Sequence, residues 1–212
     1  MPDHNSPAPA ADTPPPRIKA EDNVWYRLAT LTDNHAENRR LWNVYMSWWL
    51  SSEDKEWLTD RDGKRVAFPP VTGDDIIFIA QNLGHSFPST FSLQDIKSYL
   101  KNRLSKNIDF SYTDIIDLAN FSGFVFPHYT KFIYTIFERR AYFENAIFGH
   151  DVDFHNAMFK GKAFFNEAYF GSDINFKRAD FNNDAYFEDA SFADVAIFEN
   201  TTFSVVYFKG LS

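Results

Sequence analysis

Residues 141–170 read AYFENAIFGHDVDFHNAMFKGKAFFNEAYF, so that Phe recurs at intervals of five and six residues in strict alternation. The same alternation runs from Phe110 to Phe203 without a slip. Eighteen positions follow it, and all except Ile115 are Phe, drawn from the 24 Phe of the chain. A regularity of this kind is an internal repeat, and it decides the fold.

A smaller signal lies two residues before each repeated Phe. From Phe143 onward nine of these twelve positions are Ala, and none is charged. Residues two apart point to the same face of an extended strand. An interval of five or six residues does not match the 3.6-residue period of a helix. The pattern therefore predicts a solenoid of short strands, with Phe stacked inside and Ala at the wall.

Two segments carry a resemblance to a known family. Ala179–Asn183 (ADFNN) and Ala119–Gly123 (ANFSG) resemble the Ala-(Asp/Asn)-(Leu/Phe)-x-x unit of pentapeptide-repeat proteins. The resemblance implies a right-handed β-helix of roughly square cross-section. This chain adds one residue at every second side, so two five-residue and two six-residue sides predict 22 residues per coil.

The sequence predicts an α+β chain in three parts. Residues 1–20 hold most of the prolines and are interpreted as a disordered Pro/Ala-rich tail. Residues 21–106 have helical patterning, with N-cap signals at Asp33 or Asn34 and at the hydroxyl residues Ser51, Thr72 and Ser92. Residues 107–212 form the β-helix, and the helix that ends near residue 105 is expected to cover its first coil.

The helical part has a resemblance of its own. The strings Asn23–Leu31 and Asn38–Asn43 resemble the Trp-rich region that precedes the repeats in a bacterial subgroup of pentapeptide-repeat proteins. The resemblance brings no activity with it. The Trp-rich run from Leu41 to Leu50 is interpreted as packing against the solenoid, because the basic face of an interfacial membrane helix is missing.

Composition narrows the function classes. The net charge is −8 and the sequence pI is near 5.2, which argues against direct nucleic-acid binding. No Cys is present, and the sequence shows neither a signal peptide nor an apolar run of membrane-spanning length. Phosphate-loop, serine-hydrolase and zinc-protease motifs are absent as well. These features predict a cytoplasmic protein that is not an enzyme, has no cofactor and does not bind a membrane.

One corner of the solenoid contains two histidines. A 22-residue period aligns His128 and His150 with Ser172 and Asp194, and Asp151 and Asp173 lie beside them. Imidazoles and carboxylates in one column can hold a divalent metal. The alternative is a solvated corner, and this alternative is preferred, so no metal ligand is assigned.

One outer wall is the candidate interaction surface. Tyr142, Phe164, Tyr186 and Phe208 are spaced by 22 residues, directly before inward-facing positions, and are expected to form an outward stripe. Acidic residues follow on the same wall, namely Glu144, Glu167, Glu188 and Asp189. The opposite wall shows no stripe. Exposed apolar stripes mark contact surfaces, so either the Trp-rich helices (Trp42, Trp48, Trp49, Trp57) or another molecule should cover this one.

The C-terminal end is a second candidate contact. Lys209 occupies the position of the next repeated Phe, so the inner stack is expected to end at Phe203. Residues 205–208 are apolar and are expected to fold over as a cap or to meet another molecule.

The sequence therefore favours a non-catalytic protein-interaction module. Its partner would be another protein or a second copy, bound through an outer wall or the C-terminal end. The alternative is a DNA mimic that modulates a type II topoisomerase. Residues 108–212 carry 15 Asp and Glu against 8 Lys and Arg. Duplex DNA of the same length, about 23 Å, carries roughly 13 negative charges, so the charge density counts against mimicry.

Overall fold

The computed structural model describes residues 15–88, 90–104 and 107–210, in which a small helical region is followed by a β-solenoid. The segment 1–14, which forms most of the predicted tail, lies outside the described residues. A short strand and a 3-10 turn at Ala20–Asp22 precede five helices. The helices are α1 (Val24–Ala29), α2 (His35–Trp49), α3 (Ser52–Trp57), α4 (Gly73–Asn82) and α5 (Leu93–Arg103).

The helices begin at the cap residues that the sequence indicates. The Asn34 side chain accepts a hydrogen bond from the backbone of Glu37 at the start of α2. Ser51, Thr72 and Ser92 each form a capping box with the Asp three residues later. Each box satisfies backbone N–H groups that have no partner within the helix. The predicted helix starts are therefore confirmed.

The solenoid has four walls, each built from parallel strands of successive coils. Wall 1 contains Ile108–Asp109, Thr130–Lys131, Val152–Asp153, Ile174–Asn175 and Ala196–Ile197. Wall 2 contains Thr113–Ile115, Ile136–Phe137 and Met158–Phe159, and wall 3 contains Ala119–Asn120, Ala141–Tyr142 and Ala163–Phe164. Wall 4 contains Val125–Phe126, Ile147–Phe148, Tyr169–Phe170 and Ser191–Phe192. Two longer strands, Asp180–Tyr186 and Thr202–Tyr207, each run from wall 2 into wall 3.

The coil length is 22 residues. Val152 pairs with Ile174, Ala141 with Ala163 and Tyr169 with Ser191, so backbone partners in adjacent coils differ by that number. The predicted period is confirmed, because the register repeats on all four walls.

The repeated Phe side chains fill the interior. Along wall 1 the ring centroids of Phe132 and Phe154 are 4.5 Å apart and those of Phe154 and Phe176 are 5.0 Å apart, with nearly parallel planes. Between walls the rings meet edge to face, as Phe154 and Phe165 do at 5.7 Å and 89°. Phe170 and Phe181 are buried too, as predicted. Both arrangements suit the quadrupole of the aromatic ring.

The outward positions are less uniform than predicted. Asn182 is exposed, but Asp153 and Asn166 are half-buried. Asp153 accepts a hydrogen bond from Asn175 in the next coil, and Asn166 donates one to Glu188. Equivalent polar side chains in adjacent coils therefore shield one another.

The alternation of five and six residues has a backbone cause. The second residue after the inner position of walls 1 and 3 has a positive φ in every coil, for example 55° at Asn145 and 56° at Arg178. These corners precede the five-residue sides. The corners before the six-residue sides have no residue of positive φ within the described solenoid. The extra residue makes the left-handed conformation unnecessary at those corners.

The last coil departs from the 22-residue period. A bulge follows Phe181, after which Ala185 pairs with Val206 and Tyr186 with Tyr207, a step of 21 residues. Phe208 consequently turns inward and stacks on Phe187 at 5.2 Å. The expectation that the inner stack ends at Phe203 is wrong, because the bulge moves Phe208 into the position that the strict period gives to Lys209.

The N-terminal region covers the first coil. The strand Ile18–Lys19 pairs in parallel with Thr113–Asp114 and extends wall 2 by one rung. This strand lies inside the predicted tail, so the paired structure begins before residue 21. The Asn23 side chain donates to the Asp109 carbonyl, and Trp25 and Trp42 pack in the same core as the first Phe residues.

Helix α5 takes a different place from the predicted one. Its residues Ile96 and Leu100 pack against Ile76 and Ala80 of α4, in a second small core. The cover of the first coil comes instead from the Ile18–Lys19 strand, α1 and α2. Leu104, directly after α5, is buried in the main core with Ile108 and Phe110.

An ion pair joins α4 to α2. The Arg40 guanidinium lies 2.8 Å from Asp75 Oδ1 and also pairs with Glu37. Asp75 is buried, and the hydrogen bond from Arg40, followed by those from Thr72, lowers the pKa of its carboxyl group.

We expect Phe154→Ala to lower the free energy of unfolding by about 3–5 kcal/mol, because stacked neighbours on both sides cannot close the cavity. Phe208→Ala, at the open end where the ring is 45% exposed, should cost roughly 1 kcal/mol. Urea denaturation followed by circular dichroism measures both. Equal losses would contradict an interior held by stacking across coils.

We expect acid to destabilise the α2–α4 contact through Asp75. Its folded-state pKa is depressed, so the stabilisation is present above the ordinary carboxyl pKa of about 4 and is lost as the pH falls through the folded-state value. Asp75→Asn should therefore lower the melting temperature at pH 7 and have a smaller effect at pH 2. Asp74→Asn, at the exposed neighbouring position, is the control and should change neither value.

Candidate functional site

Wall 3 carries a continuous aromatic stripe, which we define as Tyr142, Phe164, Tyr186 and Tyr207. Successive ring centroids are 4.8, 4.8 and 4.7 Å apart, and the planes are parallel within 6°. Each ring precedes an inward Phe, so the alternation of the strand turns it to the outside. The first three rings are partly exposed, and Tyr207 is 41% exposed.

The fourth member of the stripe differs from the predicted one. The 22-residue spacing selects Phe208, but the bulge in the last coil places Tyr207 over Tyr186. Phe208 belongs to the inner stack. The three other predicted members lie where the spacing puts them.

The corner that leads into wall 3 carries Arg139, Arg140 and Lys162 in its second and third coils, and we call it the basic edge. Asp117 and Asp184 lie on the same corner in the first and fourth coils. Lys162 Nζ lies 2.8 Å from Asp184 Oδ2 and 3.2 Å from the Tyr186 hydroxyl. Asp184 and then Tyr186 raise the pKa of Lys162, and Lys162 lowers that of Asp184. Among the residues that the structure describes, Arg139 and Arg140 form no ion pair, and both are exposed.

The corner that leaves wall 3 is acidic. Glu144, Glu167, Glu188 and Asp189 lie on it, and we call it the acidic edge. Glu188 accepts a hydrogen bond from Asn166, and Glu167 is 3.6 Å from Arg61 of the helical region. The candidate residues named from the sequence therefore share one wall, with the exception of Phe208. The aromatic stripe runs between two edges of opposite charge.

A notch of about 410 Å³ opens at the basic edge, lined by Leu118, Arg139, Arg140, Gly161, Lys162 and Asn183. Gly161 allows adjacent coils to approach closely here, since a Cβ there would lie 2.3 Å from the Arg139 carbonyl carbon. Leu118 is 48% exposed at its rim. The notch therefore combines apolar and cationic groups.

The helical region packs on wall 4 in its first two coils. Trp42 Nε1 donates to the Val125 carbonyl at 2.8 Å, and Asn43 exchanges hydrogen bonds with Val125 and Gly123. Further along, the Leu58 side chain lies against Gly149. The prediction that the Trp-rich run packs on the solenoid is confirmed for Trp42 and Trp49.

The stripe keeps its exposure because these contacts lie on another wall. Trp57, named as a possible cover, is 79% exposed. The ring contacts of the stripe are with one another.

The predicted histidine column exists as a stack. The rings of His128 and His150 are parallel at 6.2 Å, and Trp49 meets His128 edge to face. Ser172 donates to Asp151 at 2.7 Å. Within the described part of the chain no three His, Asp or Glu side chains converge as a metal site would require.

The basic edge is a feature that the sequence reasoning missed. Arg140 and Lys162 differ by 22 residues and lie two residues before Tyr142 and Phe164. The 22-residue period therefore aligns these two basic residues in the sequence, directly before the strands of wall 3.

The comparisons agree with this geometry. The family model for pentapeptide repeats in nine copies matches residues 165–211. No curated protein and no solved structure matches the chain. Among the described helices, none has the length and apolar character to cross a bilayer.

We expect Gly161→Ala to destabilise the protein by about 1–3 kcal/mol, because the new methyl group overlaps the backbone of the preceding coil. Gly73→Ala is the matched control, since its Cβ would meet only the flexible Leu93 side chain at 3.2 Å. Thermal unfolding measures both. A variant at 161 as stable as the control would show that the notch needs no glycine.

Proposed function

As the chain is a pentapeptide-repeat protein, we propose that it works as a non-catalytic protein-interaction scaffold and that wall 3 is its binding surface. The observation that carries the proposal is the aromatic stripe of wall 3, flanked by the basic and the acidic edge. The repeat fold suits this role, since its walls are extended and regular.

The energetics of the stripe support a contact role. Stacking of two rings contributes on the order of 0.5–1.5 kcal/mol beyond burial. Removing the outer ring faces from water contributes a further gain of roughly 25 cal/mol per Å² of apolar surface covered. A partner that covers the stripe gains the free energy of removing these ring faces from water. Aromatic side chains are enriched in the energetic centres of protein interfaces for the same reason.

The rigidity of the wall lowers the cost of binding. The inward Phe behind each of the first three stripe residues is fully buried, and the strands of those three are bonded to coils above and below. The stripe is thus pre-organised, and a partner need not order it. The cytoplasmic location and bacterial source indicated by the sequence stay predictions.

DNA mimicry has no observation in its favour. Along wall 3 Glu144, Glu167, Glu188 and Asp189 lie on one edge, whereas Arg139, Arg140 and Lys162 share the other edge with Asp117 and Asp184. A duplex carries negative charge along both strands. The dipolar wall therefore favours a protein partner.

Photo-crosslinking tests the proposal. A photoreactive phenylalanine analogue at position 164 should form crosslinks to protein in an extract of the source cell, and Tyr142→Ala/Tyr186→Ala in the same chain should abolish them. The matched control is the same analogue at Met158, the outward residue of wall 2 in the same coil, which should crosslink far less. Equal crosslinking from both walls, or none from position 164, would contradict a binding role for wall 3.

A further inference from the structure

We propose that the partner of wall 3 is a second copy of this chain, related by a two-fold axis parallel to the solenoid axis. This inference rests on the proposed function, because it names the occupant of the same surface. It is carried by the separation of charge across the second coil of the wall, where Arg139 and Arg140 lie at one edge and Glu144 at the other.

Two copies can meet wall to wall by a two-fold axis in only two simple ways. A two-fold axis parallel to the solenoid axis leaves each residue at its own height and exchanges the two edges of the wall. The basic edge of one copy then faces the acidic edge of the other. A two-fold axis parallel to the strands of the wall places the two basic edges against each other and the two acidic edges against each other. The second arrangement would oppose acidic edges that carry Glu144, Glu167, Glu188 and Asp189, and like charges in apposition are unfavourable.

The first arrangement pairs particular residues. Arg140 and Glu144 belong to the same coil, four residues apart along the strand, hence about 13 Å apart across the wall. Because the parallel two-fold axis preserves height, Arg140 of each copy is level with Glu144 of the other. Neither residue has an ion pair among the described residues, so both are available.

The aromatic stripe lies between these pairs, close to the two-fold axis. Tyr142 and Phe164 of one copy would therefore meet the same residues of the other. A two-fold interface is self-complementary in this way, since one patch serves both partners. The stripe supplies apolar area and the edges set the orientation.

The area of wall 3 limits the expected stability of the dimer. Four coils give a height of roughly 20 Å, so a wall about 13 Å wide covers roughly 260 Å² per copy before side chains are counted. Stable interfaces bury about 800 Å² per partner. We therefore expect a weak dimer that is populated only at high protein concentration and that weakens with added salt.

Charge-reversal variants test the orientation of the two copies. Sedimentation velocity measures dimerisation of the full chain over a concentration range from about 1 to 500 μM. Arg140→Glu and Glu144→Arg should each weaken the dimer roughly 10-fold or more, since each puts like charges together twice per dimer. The double variant Arg140→Glu/Glu144→Arg should recover dimerisation to within about 3-fold of the wild type. An equimolar mixture of the two single variants should also recover it, because both contacts are then between opposite charges.

Arg178→Glu is the matched control, as an exposed arginine on a corner away from wall 3, and it should leave the dimer unchanged. Circular dichroism confirms that every variant is folded. A monomer at every concentration, or a dimer in which the single variants behave as the wild type, would overturn the inference. If the chain is a monomer but position 164 still crosslinks, wall 3 binds a different protein and only the dimer inference fails. If position 164 gives no crosslinks, the proposed binding role of wall 3 fails, so the two failures are distinct.

Discussion

The interior of this protein depends on the stacking of aromatic rings at the spacing that the β backbone imposes. Parallel strands lie about 4.8 Å apart, and inner Phe rings in adjacent coils have centroids 4.5 Å apart at their closest. One spacing therefore satisfies both the backbone hydrogen bonds and the ring stacking. In the last coil, which is one residue shorter, a bulge restores both the pairing and the stacking. The left-handed corners after walls 1 and 3 are retained because they keep this spacing.

The stacked interior must be capped where the coils begin. At the first coil, side chains of the helical region complete the backbone hydrogen bonds that another coil would otherwise supply. Trp42 and Asn43 bond to the strand at Val125, and Asn23 bonds to the Asp109 carbonyl. The helices thus act as the cap that repeat proteins need at a terminus. The same helices pack on wall 4, which leaves wall 3 as the wall with an exposed aromatic stripe.

Function follows from the difference between the walls. All four walls share the inward aromatic stack, and the difference that bears on binding lies in their outward positions and corners. On wall 3 those positions hold aromatic rings between a basic and an acidic edge. Such a pattern distinguishes one direction across the wall from the other. A surface with this property can select the orientation of what binds it, which a uniform acidic surface cannot do.

The sequence by itself determined the period, the inward residues, the helix caps and three of the four stripe members. These features depend on spacing along a single strand or helix, and spacing can be read without coordinates. Only the tertiary structure decided that Tyr207 replaces Phe208, that α5 packs on α4, and that the helices pack on wall 4. The bulge after Phe181 shortens one coil by a residue, and no local signal separates it from the regular corners. The placement of the helices depends on contacts between residues about 80 positions apart, which periodicity does not encode.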